Sequence, residues 1–179
     1  MTSGRRMRTL TVAMLAVTVS SCASIPWPVE RTVPDFNPAA AVAAVRAVGR
    51  ADAKELDVQP LRDPRVEDLR QRAATLEREG DLRGAGKLLD HALSIQADNP
   101  ALLQERAENA LLQGSIGAAE RWADQAVQQG STVGPLCRRH WETIAQVRAA
   151  RAEPPPEAPT AAAARKQRDA CTVAAPKRY

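Results

Sequence analysis

Residues 69–95 read LRQRAATLEREGDLRGAGKLLDHALSI, and residues 103–129 read LQERAENALLQGSIGAAERWADQAVQQ. Laid one under the other, the two stretches are offset by 34 positions and match at Leu69 and Leu103, Ala73 and Ala107, Gly80 and Gly114, Leu82 and Ile116, Ala85 and Ala119, and Ala92 and Ala126. Within the first copy Val66, Leu69, Ala73 and Leu76 step by three and four, as do Leu82, Ala85, Leu89, Ala92 and Ile95 after the glycine. The second copy does the same with Leu103, Ala107 and Ala110, Leu111 lying beside the last, then with Ile116, Ala119, Ala123 and Ala126, beside which lies Val127. Such steps collect apolar side chains on one face of an α-helix. Gly80-Asp81 and Gly114 mark turns between helices, and Asn99-Pro100 opens the second copy. Joints this short predict antiparallel neighbours.

A 34-residue helix–turn–helix period with small residues at these offsets resembles the tetratricopeptide repeat (TPR). The resemblance implies close approach of the two helices of a repeat at Ala73/Ala107 and Ala85/Ala119. It implies contact with the next repeat at Ala92/Ala126, and turns at Gly80/Gly114. Three departures stand out: Arg72 and Arg106 where the family prefers Leu, Leu69 and Leu103 in place of its Trp, and Ala97 and Gln129 just before the place of its inter-repeat Pro. The match covers about 66–130.

Two repeats leave an apolar face that a neighbour must cover. Gly134-Pro135 opens a further helix with Cys137, Trp141, Ile144 and Val147 on one stripe, ending near Arg151, which looks like the solvating cap of such an array. Trp141 reads as core, and Trp122, one residue off its stripe, as packing against the cap. The implied fold is all-α, a short TPR-like solenoid over 63–151 of two repeats plus a capping helix at 134–151. In that family the first helices of each repeat line a concave groove. Carried onto this chain, the groove face offers Arg70, Ala74 and Glu77, then Gln104, Glu108 and Leu111, a mixed polar surface that suits an extended peptide or a partner helix.

Composition agrees with close-packed helices. Alanine fills 35 of 179 positions while aromatics reach 3%, so the core is thin, and a β-sandwich or aromatic-rich α/β enzyme is excluded. Pro26, Pro28, Pro34, Pro38 and Pro60 give residues 22–62 the composition of an extended tether. Within it Asn37-Pro38 and the spacing of Val42, Val45 and Val48 predict a helix from 38, reaching at most 56, that either packs on the domain or spaces it. Glu153 to Pro159 reads as a stiff linker, and 152–179 as linker and tail with a short helix over 161–170.

At the amino terminus Arg5, Arg6 and Arg8 precede an apolar run from Thr9 to Val19, shorter than the about 20 residues a bilayer crossing needs. That is the layout of a secretory signal over 1–21. Its end, Val19-Ser20-Ser21-Cys22, resembles the lipobox of bacterial lipoproteins. The resemblance implies cleavage before Cys22 and acylation of its sulfur and amine. Three acyl chains, at about 0.8 kcal/mol per buried CH₂, would hold the protein at a membrane. Ala23 after the Cys, rather than Asp, implies sorting to the outer membrane, facing the periplasm. Losing 1–21 lowers the net charge from +4 to +1, and nucleic acid drops out as a partner. Residues 64–130 then carry net −3 and 131–179 net +5.

With Cys22 lipidated, Cys137 and Cys171 are the two thiols left, and an oxidising compartment predicts a disulfide between them. Catalytic patterns are thin. His91 and His140 lie far apart with no zinc spacing. Gly80 to Lys87 mimics a phosphate loop, but Leu88 stands where Ser or Thr must hold Mg²⁺. No enzyme, cofactor, metal or small-molecule substrate is expected. The sequence reading is a protein–protein interaction scaffold with an envelope partner. Two alternatives are a pilotin-like assembly factor for an outer-membrane secretin or insertion machine, and binding of lipid or peptidoglycan through the basic tail with Arg165, Lys166, Arg168, Lys177 and Arg178.

Overall fold

A computed structural model describes residues 35–50, 63–151 and 160–172. The signal segment, Cys22, the tether before residue 35, residues 51–62, the proline run at 152–159 and residues 173–179 lie outside the described residues. Within them the chain forms seven helices and no strand. These are α1 (Pro38–Val48), α2 (Pro64–Arg78), α3 (Leu82–Ile95), α4 (Pro100–Leu112), α5 (Ile116–Gln129), α6 (Gly134–Ala150) and α7 (Ala161–Ala170). None is long and apolar enough to cross a membrane.

Starts are written locally. Asn37, Asp63 and Asn99 each precede a proline at the first helical position, and each side chain accepts a backbone N–H of the first turn. The proline lacks the N–H that would have gone unpaired there. Ends of the two repeat first-helices are also alike. Gly80 takes φ +86° and Gly114 φ +70°, and the following N–H turns back in each case, Asp81 to Leu76 O and Ser115 to Ala110 O, both at 2.9 Å. A Cβ on either glycine would meet nothing within 4 Å. The left-handed backbone, not crowding, is what asks for glycine.

Helices pack in consecutive pairs, α2 with α3, α4 with α5 and α6 with α7, and each pair packs on the next. The crossings are lined by alanine. Ala92, Ala107, Ala119, Ala123 and Ala126 are wholly buried, Ala85 is 1% exposed and Ala73 3%. Small side chains there let the helix backbones approach closely, which explains the alanine content. Larger residues fill the remaining space, with Val66, Leu69, Leu93, Leu102 and Leu103 in one cluster.

The sequence leaves open whether the helix from 38 packs on the domain or spaces it, and the structure takes the first alternative, so that residues 38–48 belong to the domain: Val42 and Val45 of α1 pack with Leu111, Ile116 and Val147. Each valine so buried stabilises the docked helix by about 1.5–3 kcal/mol, and Arg138 Nε donates to the α1 carbonyl of Val48 at 2.9 Å. Described helix ends at Val48, with Gly49 as its cap. At the other end 161–170 is not a free tail. α7 lies on α6 and buries Ala164 against Ile144 and Ala145, so α6 and α7 form a third pair where a lone capping helix was expected. Among the described residues Val133 is the exposed large apolar side chain; α1 and α7 cover the faces the repeats leave bare.

Candidate functional site

A cavity of about 430 Å³ opens on the face made by the first helices of the three pairs. Arg70, Ala74 and Glu77 of α2 and Glu108 of α4 line it, with Arg46 of α1 and Arg139 of α6. The other two residues assigned to the groove, Gln104 and Leu111, are wholly buried. The tetratricopeptide resemblance that placed them implies an open face on α4. Instead α6 covers Gln104, whose amide Nε2 donates to Thr143 Oγ1 at 2.8 Å, and α1 covers Leu111.

Charges in the cavity are paired across helices. Arg70 Nε donates to Glu105 Oε2 at 2.9 Å and Arg70 Nη1 to Glu67 at 3.0 Å. Arg46 bridges Glu108 and Glu77 at 2.8 and 2.9 Å. Arg139 Nε meets Glu108 at 3.0 Å. Glu108, 1% exposed, thus holds two guanidinium groups and the Gln104 amide at 2.8 Å. Arg78, exposed at the rim, bonds the Ala74 carbonyl and Thr75 hydroxyl and no acid among the described residues. A partner carboxylate would therefore meet an arginine that is not already spent on an acid.

Behind Glu108 the network runs inward. Gln104 Oε1 lies 2.7 Å from His140 Nδ1, and His140 is 1% exposed. Burial, with the Arg139 charge added, pushes its pKa down to about 3. Unfolded, the ring has its ordinary value of about 6.5. Between those values the unfolded chain binds a proton that the folded chain refuses, so stability falls as pH falls. The loss between pH 6.5 and 4.5 should be about 2–3 kcal/mol for this group. Urea unfolding at the two pH values is expected to show a smaller loss in His140→Gln; equal losses in both proteins would remove His140 as the source.

The structure joins Cys137 of α6 to Cys171, with Cα atoms 5.8 Å apart. Gly134 N–H donates to Cys171 O at 2.8 Å, and Arg168 pairs with the buried Glu142 at 2.6 Å. Arg165 and Lys166 are exposed on α7. Among the family departures, Arg106 bonds Asp90 at 2.6 Å and its guanidinium stands 5.7 Å from the Trp122 ring centre, while Arg72 is exposed beside Asp68. Trp122 and Trp141 are half-buried against the cluster of Ile144 and Ala145. At Gly80–Lys87, Asp81 Oδ1 already accepts Gly84 N–H at 2.8 Å, leaving a carboxylate where a phosphate would sit.

Sequence reasoning missed Arg46, Arg139, Glu105 and the burial of His140. One signal was present. α4 carries buried Leu102, Leu103, Ala107, Ala110 and Leu111 around more than one face, and a helix apolar on several faces is interior, so its polar residues are interior too.

The chain matches no protein-family model and no curated protein. Among solved structures it is similar to the globular C-terminal domain of P. aeruginosa LpoP, at 28% identity and a TM-score of 0.53, covering 61% of this chain and 99% of that one.

Proposed function

We propose that the chain is a non-catalytic interaction module, anchored by a lipid on Cys22 to the periplasmic face of the bacterial outer membrane, and that its TPR-like concave face seats a segment of an envelope protein. The observation that carries the reading is the cavity of about 430 Å³ on the first helices of all three pairs. The likeness to the LpoP domain supports an envelope protein that works through protein partners. The partner surface is acidic where it meets Arg78 and otherwise polar, because the remaining cavity charges already satisfy one another.

A photo-crosslinking residue at Gln71 or Arg78 in intact cells is expected to capture the partner. The same residue at the exposed Lys87 of α3, the second helix of its pair, is not. Arg78→Glu should lower capture from position 71 several-fold. Equal capture from position 87 would place the partner elsewhere. A secretin, a porin-insertion subunit or a peptidoglycan synthase among the captured proteins would name the machine, and the first two would make the chain an assembly factor. Exposed Arg165 and Lys166 favour a second reading, contact of the basic carboxyl-terminal segment with anionic lipid or peptidoglycan. Sedimentation with sacculi that survives Arg165→Glu/Lys166→Glu would overturn it.

A further inference from the structure

The concave cavity is lined by α1, α2, α4 and α6, with Leu89 the one residue from α3. The second helices of the three pairs, α3, α5 and α7, form the outer row. In each of them a cation stands two residues after a buried alanine: Lys87 after Ala85, Arg121 after Ala119 and Lys166 after Ala164. Two residues turn about 200° round an α-helix, so each cation stands on the side of its helix away from the core. Arg83, one turn before Lys87, and Arg165, beside Lys166, flank them, and all five are exposed.

The charge of this row is unspent. Elsewhere Arg46, Arg70, Arg106, Arg139, Arg148 and Arg168 each pair with an acid. Among the described residues no acid pairs with Arg83, Lys87, Arg121, Arg165 or Lys166. The acids of the same helices are engaged elsewhere, Asp90 with Arg106, Glu120 with Arg148 and Asp169 with Arg168. Asp81 caps α3, and Asp124 is half-buried near Glu120 and Arg148.

Charge without apolar surface selects the kind of partner. A protein interface is built round buried aromatic or aliphatic side chains, whereas the exposed large apolar residue among the described ones, Val133, lies on the α5–α6 loop. An anionic lipid surface needs only basic side chains within reach of its phosphates. Net charge supplies little attraction, since the chain from Cys22 onward carries +1, so the excess is local to the row. We propose that the outer row of α3, α5 and α7 lies against an anionic phospholipid surface, with Lys87, Arg121 and Lys166 meeting headgroup phosphates, and turns the concave face away from the membrane. Three of the five cations belong to the repeats, so the contact extends beyond the carboxyl-terminal segment. Which membrane is met rests on the anchorage at Cys22 proposed above. Asn37 lies fifteen residues after Cys22, within about 50 Å of it at full extension.

The test is co-sedimentation of the chain from residue 22, as Cys22→Ser and with the Cys137–Cys171 bond intact. The vesicles are phosphatidylcholine, alone or mixed with phosphatidylglycerol. Binding is expected only where phosphatidylglycerol is present, and it should fall as salt is raised. Lys87→Glu/Arg121→Glu, at exposed positions that leave the core untouched, should weaken it by at least about tenfold. Arg65→Glu/Arg72→Glu changes the net charge equally at exposed positions of α2 and should leave most of the binding. Equal loss in the two pairs would assign binding to net charge and overturn the proposal. So would loss confined to Arg165→Glu/Lys166→Glu, which assigns the carboxyl-terminal segment alone, or sedimentation with sacculi but not with vesicles, which assigns peptidoglycan. Cys22→Ser carries no lipid, so an unacylated Cys22 in protein drawn from cells would sink the anchor while the vesicle result stands.

Discussion

Reducing the Cys137–Cys171 bond is expected to remove about 3–4 kcal/mol of stability. The bond closes a loop with a sequence separation of 34, and freeing that loop enlarges the unfolded ensemble by the corresponding chain entropy. For a domain of this size the melting temperature should fall by about 10–20 °C. Loss should begin at α7. Its ten residues are fewer than the about 12–15 an isolated helix needs in water, and Ala164 is its one buried side chain, helped by the Arg168–Glu142 pair and the Gly134–Cys171 hydrogen bond. Hydrogen exchange in reduced protein, or in Cys171→Ser, should therefore rise in α7 before it rises in α4. A melting temperature unchanged within about 2 °C on reduction, against the loss the loop length requires, would show that the link constrains nothing. Thiols that alkylate freely in protein drawn from cells without reductant would show that it does not form.

What the sequence reveals here is whatever is written within one helix or one turn. The 34-residue period is legible because Ala73/Ala107, Ala85/Ala119 and Ala92/Ala126 must be small at successive crossings, and each crossing repeats. The caps at Asn37, Asp63 and Asn99 are legible because cap and helix are adjacent residues. Docking of α1 is not. Val42, Val45 and Val48 at spacing three describe one apolar face whether that face meets the repeats or a spacer's surroundings, and the deciding residues, Leu111, Ile116 and Val147, are 63 to 105 positions away. The buried polar network fails for the same reason. Glu108 reaches Arg46 across 62 positions, Arg139 across 31, and Gln104 meets His140 across 36. No local pattern reports such partners. The concave face was legible on α2, where Arg70, Ala74 and Glu77 do line the cavity, and not on α4, where neighbours distant in sequence cover half of it.

Removing Arg46 and Arg139 together is expected to cost more than removing the Glu108 that both contact. Glu108 is 1% exposed, whereas the Arg46 and Arg139 side chains are 48% and 26% exposed. When the carboxylate goes, as in Glu108→Gln, both guanidinium groups can return to water, and the loss is that of lost hydrogen bonds, about 1–2 kcal/mol. When both arginines go, a buried negative charge keeps only the Gln104 amide, and breaking a buried ion pair in this sense costs about 3–5 kcal/mol. Urea unfolding of Arg46→Ala/Arg139→Ala and of Glu108→Gln measures the asymmetry. Adding Glu108→Gln to the double variant should then restore about 2 kcal/mol, because it removes the stranded charge. A triple variant less stable than the double would mean that packing of the long arginine stems, not the buried carboxylate, dominates. The order matters for the cavity as well. Arg46 ties α1 to α2 through Glu77 and to α4 through Glu108, while Arg139 ties α6 to the same carboxylate. One buried charge thus fixes the spacing of four helices around the concave face, and a partner that meets that face meets a shape set by Glu108 rather than by the groove residues it touches.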